Sequence, residues 1–172
     1  MTWFAVLIAC VALERLAELV VARRNERWSR ARGAEEAGAA HYPVMVLLHT
    51  GLLLGALLEV GFSHRPFLPA LGWPMFALVV AAQALRWWCI ATLGRQWNTK
   101  ILIVPQLGRV STGPYRWLDH PNYVAVVVEG FALPLVHTAW ITAVSFTALN
   151  AVLLRVRITA ENEALHGLAT GS

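Results

Sequence analysis

Pro43-Val44-Met45-Val46-Leu47-Leu48-His49-Thr50-Gly51-Leu52-Leu53-Leu54-Gly55-Ala56-Leu57-Leu58-Glu59-Val60-Gly61-Phe62 carries one carboxylate, near its end, and otherwise offers little but hydrocarbon. About 20 such residues wound as a helix rise ~30 Å, the depth of a bilayer's hydrocarbon core, and a helix satisfies its own backbone polar groups where no water can. The rest of the chain has the same character: 58% hydrophobic residues, 14% charged residues and eight tryptophans in 172 residues. That composition describes a bilayer protein and excludes an ordinary soluble domain.

Four further stretches extend the reading on either side. Trp3 to Val21 precedes a basic, polar run from Arg23 to Ala40. It lacks a basic leader and a small-residue cleavage site, so it reads as a retained helix, not a signal peptide. A third helix is expected from Trp73-Pro74 to Leu93-Gly94, with proline in its first turn and glycine at its C-terminal cap. Asn122 to Val136 and Trp140 to Leu154 supply two shorter runs, separated by His137-Thr138-Ala139 alone, which predicts a tight helical hairpin. The expected fold is an all-α integral membrane protein of about five transmembrane helices, without a Rossmann domain, forming one domain over residues 1–172. Arg30 to Ala40 reads as a mobile linker.

Charge placement fixes an orientation. Arg23, Arg24, Arg27, Arg30 and Arg32 follow the first helix, Arg95, Lys100, Arg109 and Arg116 follow the third, and Arg155 and Arg157 lie in the C-terminal segment. Five spans put all of these on one side and Arg65 on the other, so the N-terminus is expected outside and both polar loops and the tail in the cytoplasm. The net charge of +4 is explained by this bias and by anionic lipid headgroups, and no reader motif points to nucleic acid. Cys10 and Cys89 are unpaired apolar fillers within helices, and no cluster of metal-ligand spacing occurs. GxGxxG, GxxxxGK[ST], HExxH and GxSxG are all absent.

Polar residues inside apolar spans carry the functional information, because each is expensive in lipid. Glu14, Arg15 and Glu18 fall on adjacent turns of the first helix and read foremost as an intramembrane salt-bridge cluster. Arg86 lies mid-helix, where it can pair with Glu14, Glu18 or Glu129 or anchor an anionic group of a ligand. His49 and His137 read as packing residues, and Glu59 as a carboxylate reaching water. The densest polar stretch is Gly113-Pro114-Tyr115-Arg116-Trp117-Leu118-Asp119-His120-Pro121-Asn122-Tyr123, which runs straight into the helix of Glu129. Pro121 disfavours helix at His120, which predicts an extended His120 at the mouth of that helix, with Asp119 or Asn122 as alternative capping residues.

Gly113-Pro114-Tyr115-Arg116, His120-Pro121-Asn122-Tyr123, Glu129, and Arg157 with Glu161 and Glu163 together resemble the isoprenylcysteine carboxyl methyltransferase family of membrane enzymes. Leu93 to Asn98 and Thr99 to Pro105 look like that family's approach to the loop, and Glu14-Arg15 with Arg24-Asn25 look like its smaller bacterial branch. The resemblance implies an S-adenosylmethionine-dependent methyltransferase in a bacterial cell membrane, with a cytoplasm-facing cofactor site mainly within residues 94–165. On that basis Tyr115, His120, Pro121, Tyr123, Glu129, Arg157, Glu161 and Glu163 contact the cofactor, His120, Asp119 and Arg116 serve the reaction, and Arg86, Trp87 and Trp97 meet the substrate. Carboxylates and aromatic faces suit a sulfonium, and a guanidinium or imidazole suits its carboxylate.

Asp119 stands where the family usually has arginine before His-Pro. The reversed sign argues against the carboxylate of a prenylated cysteine, and the resemblance to the smaller bacterial branch implies instead a lipid-like phenol or pyrone, whose hydroxyl loses a proton as it attacks. The same resemblance implies a type III polyketide synthase as the biosynthetic partner. Carboxyl methylation and an NADPH-dependent membrane reductase are the alternatives. The glutamates of the tail would repel the phosphates that a reductase must hold.

Overall fold

A computed structural model describes residues 2–104, 107–108 and 110–170, with side chains to residue 164. Arg109 and Pro105, both invoked above, lie outside the described residues. Five helices run in chain order: α1 (Thr2–Arg30), α2 (His41–Phe62), α3 (Pro69–Leu93), α4 (Pro121–Leu135) and α5 (Trp140–Thr170). Two three-residue strands, β1 (Glu35–Ala37) and β2 (Ile101–Ile103), pair antiparallel with Glu35 opposite Ile103 and Ala37 opposite Ile101. The chain is an all-α membrane protein. Among the described residues His41–Phe62, Pro69–Gln96 and Trp140–Ala164 are long and apolar enough to cross a bilayer. α4 is an apolar helix of 15 residues, and α1 carries Glu14, Arg15 and Glu18 in its apolar part.

Several boundaries depart from expectation. α1 continues past Val21 to Arg30, because its polar extension has partners: Asn25 donates to the carbonyls of Gly94 and Trp97 at 3.1 and 2.8 Å, and Arg30 bonds Glu26 one turn away. The stretch expected as a mobile linker contains β1, clasped to β2 and tied to it by Lys100, whose ammonium lies 2.9 Å from Glu26 and 3.6 Å from Glu36. α3 starts at Pro69, four residues early, because Leu68 is extended and proline is preorganised for a first helical position. Gly94 ends it with φ +53, a conformation that side chains resist. α5 does not stop at Leu154, so the presumed tail bearing Arg157, Glu161 and Glu163 is helix.

The hairpin forms as expected, with Val136–Ala139 as its connection, closed by the amide of Ala139 on the carbonyl of Pro134 at 3.0 Å. Gly130 lets the two helices touch: a Cβ there would run into the ring of Phe146. Glu59 does not simply reach water. It accepts the amides of Ile141 and Thr142 and the Thr142 hydroxyl at 2.8–3.2 Å, and so caps α5 from a neighbouring helix. The apolar core lies toward this end, where Phe4, Ile8 and Val11 of α1 meet Ala56, Val60, Val79, Leu133 and Val136. At the opposite end β1 and β2 pack against α5, which gathers the polar ends of α1, α3 and α5 on one side of the bundle.

Candidate active site

Pro121 is the first residue of α4, and His120 caps it with φ −132 and ψ 63, outside the helical range. Neither Asp119 nor Asn122 takes that position, because proline's restriction falls on the residue immediately before it. From this mouth Tyr123 points toward α5. Its hydroxyl donates to Glu161 Oε2 at 2.8 Å, its ring stacks on the His120 imidazole with centroids 5.3 Å apart and planes 21° apart, and His120 Nδ1 lies 3.8 Å from the same carboxylate oxygen. One helical turn before Glu161, Arg157 donates to the carbonyl of Thr99 at 3.0 Å. Arg157 is 5% exposed, and its Nε has no hydrogen-bond partner among the described residues. Tyr115, set after Gly113 in a short 3-10 turn, reaches Cys89 of α3; burial pushes its phenol well above the usual range, and Cys89 adds to the effect.

These groups line one cavity of about 680 Å³. Tyr115, Asp119, His120, Tyr123, Arg157 and Glu161 surround its polar end, and Arg86 and Trp97 also face it. The cavity then continues between α1 and α2 along Ala5, Ile8, Ala12, Leu16, Leu53 and Leu57. From Ala5 to Leu16 the wall spans ~16 Å at the rise of a helix.

Other residues singled out from the sequence do not line it. Arg116 is exposed on the loop, and Pro121 is buried as a helix start. Glu163 is exposed: two residues past Glu161 it lies ~200° around the helix, beside His41 and Arg155. Trp87, one residue from Arg86, faces outward at 40% exposure and bonds Glu14. Glu129 is buried behind the cavity, paired with Arg86 and lying 3.5 Å from Arg15. The expected charge cluster is therefore present, and it joins three helices: Arg15 also meets Glu18 at 2.9 Å, and Arg86 Nε lies 3.6 Å from Glu18 Oε1. Asn150, absent from the residues expected from the sequence, is a buried amide that lines the cavity with its Oδ1 unpartnered among the described residues. A lone amide amid the apolar residues of α5 was the available signal.

The defining pattern of the isoprenylcysteine carboxyl methyltransferase (ICMT) family matches residues 75–167, which include every polar residue at the mouth of the cavity. The chain belongs to this family. That family is one of membrane methyltransferases, and among the described residues the sheet is limited to the β1–β2 pair. An uncharacterized protein of Bacillus subtilis, YpbQ, is 41% identical over 163 residues, covering 94% of this chain and 96% of that one. An uncharacterized protein of Haemophilus influenzae is 25% identical over 171 residues, covering 98% of each. The likeness to both relatives runs through α1 and α2, which the ICMT match does not reach.

Proposed function

We propose that this ICMT-family protein transfers a methyl group from S-adenosylmethionine to the hydroxyl of a lipid-like phenol or pyrone dissolved in the bilayer. The observation that carries the reading is the two-part cavity: a polar mouth made by the loop, α4 and α5, continuous with an apolar channel walled by α1 and α2.

The residues at the mouth fit the donor. Glu161 offers a carboxylate to an ammonium or ribose hydroxyl, the His120–Tyr123 stack offers an aromatic face, and Arg157 has an N–H, unpartnered among the described residues, that suits a carboxylate. The donor supplies an electrophilic methyl on a sulfonium. The chain's part is to hold the acceptor oxygen in line with it, because alignment accounts for most of the acceleration in a direct displacement. Asp119 at the rim makes the mouth less suited to an anionic prenylcysteine carboxylate than to a neutral hydroxyl. A lipid acceptor enters sideways, its tail along α1 and α2.

Calorimetric binding of S-adenosylhomocysteine to the detergent-purified protein tests this, with NADPH as the comparison. Saturable binding of the homocysteine, weakened by His120→Ala and by Glu161→Ala, is expected. Binding of NADPH instead would replace the reading with a reductase, and binding of neither to a folded protein would end it.

A further inference from the structure

Resting on the methyl-transfer reading, the buried charges deeper in the cavity bear on where the acceptor's proton goes. Arg15, Glu18, Arg86 and Glu129 form a neutral quartet, and three of its members line the cavity while Glu129 does not. Glu18 and Arg86 are each 4% exposed. Glu18 Oε2 is taken by Arg15 Nη1 at 2.9 Å. Its Oε1 has no hydrogen-bond partner among the described residues, nor has Arg86 Nε, and the two atoms lie 3.6 Å apart on the cavity wall. Their charges face each other, but at that distance neither atom has a hydrogen bond, and a buried donor and acceptor without one are costly. One ligand hydroxyl satisfies both, donating to the carboxylate and accepting from the guanidinium.

We propose that Glu18 is the catalytic base for the acceptor's hydroxyl, and that Arg86, with Arg15, holds the oxyanion that results. The level in the bundle is right. Arg86 lies three residues, ~4.5 Å, along α3 from Cys89, which meets Tyr115, and Glu129 lies six residues, ~9 Å, along α4 from Tyr123. The quartet therefore sits one to two turns beyond the polar mouth, where an acceptor arriving from lipid meets a donor arriving from water. His120 is engaged with Tyr123 and Glu161 at the mouth and is worse placed to take this proton. Charge favours the step as well. When the acceptor's proton passes to Glu18 Oε1, a carboxylate becomes neutral as an oxyanion appears beside it, so two guanidiniums still face two anions and no net charge is created in the bundle. The acceptor oxygen then uses its electron pair to form the C–O bond, while the C–S pair of the sulfonium donor stays on sulfur, which leaves as a neutral thioether. Glu18 resets by losing the proton to water at the mouth.

The test compares an alkylphenol with an alkyl-nitrophenol of the same tail, the second far more acidic. Glu18→Gln should lower kcat on the alkylphenol by about 100-fold or more, much less on the nitrophenol, and leave S-adenosylhomocysteine binding unchanged. Glu129→Gln removes the same charge from the same quartet, and its losses should be equal on the two phenols. Should Glu18→Gln not fold, Glu18→Asp keeps the charge but withdraws the carboxylate by a methylene, and its loss should again be larger on the weaker acid. Without any donor, the absorbance of nitrophenol bound to the native protein should report ionisation at lower pH than in empty micelles. Equal losses on both phenols in the Glu18 variant, or a bound nitrophenol no easier to ionise, overturns the assignment. If the native protein binds the homocysteine in that case, the methyltransferase reading survives it; if the native protein does not bind the homocysteine, both fall together.

Discussion

Tyr123 and Glu161 are 38 residues apart and share a hydrogen bond of 2.8 Å, which makes the mouth of the cavity a joint between α4 and α5. The tyrosine contributes two separable things: a ring stacked on His120 and a hydroxyl that fixes the carboxylate. Tyr123→Phe keeps the first and removes the second, so S-adenosylhomocysteine binding should weaken by about tenfold, the worth of one such bond. Glu161→Gln deletes the charge proposed to attract an ammonium and should cost about 10- to 100-fold. Calorimetry at fixed pH ranks the pair, and a larger loss for the phenylalanine variant would count against an ionic role for Glu161. The His-Pro-Asn-Tyr string identified one half of this joint directly, because proline dictates where α4 begins. Glu161 could be paired with it only through resemblance, since nothing local in the sequence tells which of Glu161 and Glu163 faces inward. The extension of α5 to Thr170 decides it, because helical rotation then turns the two glutamates to different sides.

Among elements, the apolar segments were readable from hydropathy, and the ends were not. α1 and α5 run past their apolar parts because partners elsewhere in the chain hold their polar turns, and such partners are invisible to a local reading. The β1–β2 clasp is the clearest case: its Glu36 pairs with Lys100, about 64 residues onward, a match that no periodicity announces. Lys100 first, then Arg30, holds the Glu26 carboxyl below the usual range, and Glu26 in turn raises Lys100. The lowered acid stabilises the fold fully above its ordinary value of 4.5 and loses that contribution as pH falls through its folded value. The raised base does so below 10.5 and loses it as pH rises further. Lys100→Met should therefore cost about 1 kcal/mol or less between those limits, and its melting temperature should converge on the native one in acid. A gap that persists unchanged into acid would show that packing, not charge, joins the clasp to α1. In the hairpin the limit is steric: Gly130→Ala forces a methyl against Phe146 and should destabilise by about 1–3 kcal/mol, read as a lower melting temperature in detergent.

For the whole molecule, the bundle has one end rich in arginine and lysine and another with little charge. Arg23 to Arg32, Arg95, Lys100, Arg116, Arg155 and Arg157 belong to the first, and Arg65, paired with Glu59 at 3.1 Å, to the second. The structure brings the first group to a single side, since β1, β2 and α5 are in contact there, although these residues come from three separate parts of the chain. Short loops rich in Lys and Arg stay on the cytoplasmic side during insertion. The mouth of the cavity lies at this same end, so under the proposed activity a water-soluble methyl donor would reach it from the cytoplasm and a lipid acceptor would enter from the bilayer. Single cysteines placed in a Cys10→Ala, Cys89→Ala background check the orientation in intact cells. Arg32→Cys should resist a membrane-impermeant maleimide until the membrane is permeabilised, and His64→Cys, in the α2–α3 loop, should react at once. The reverse pattern would put the mouth outside, where the donor is not made, and would contradict the proposed activity independently of any binding measurement.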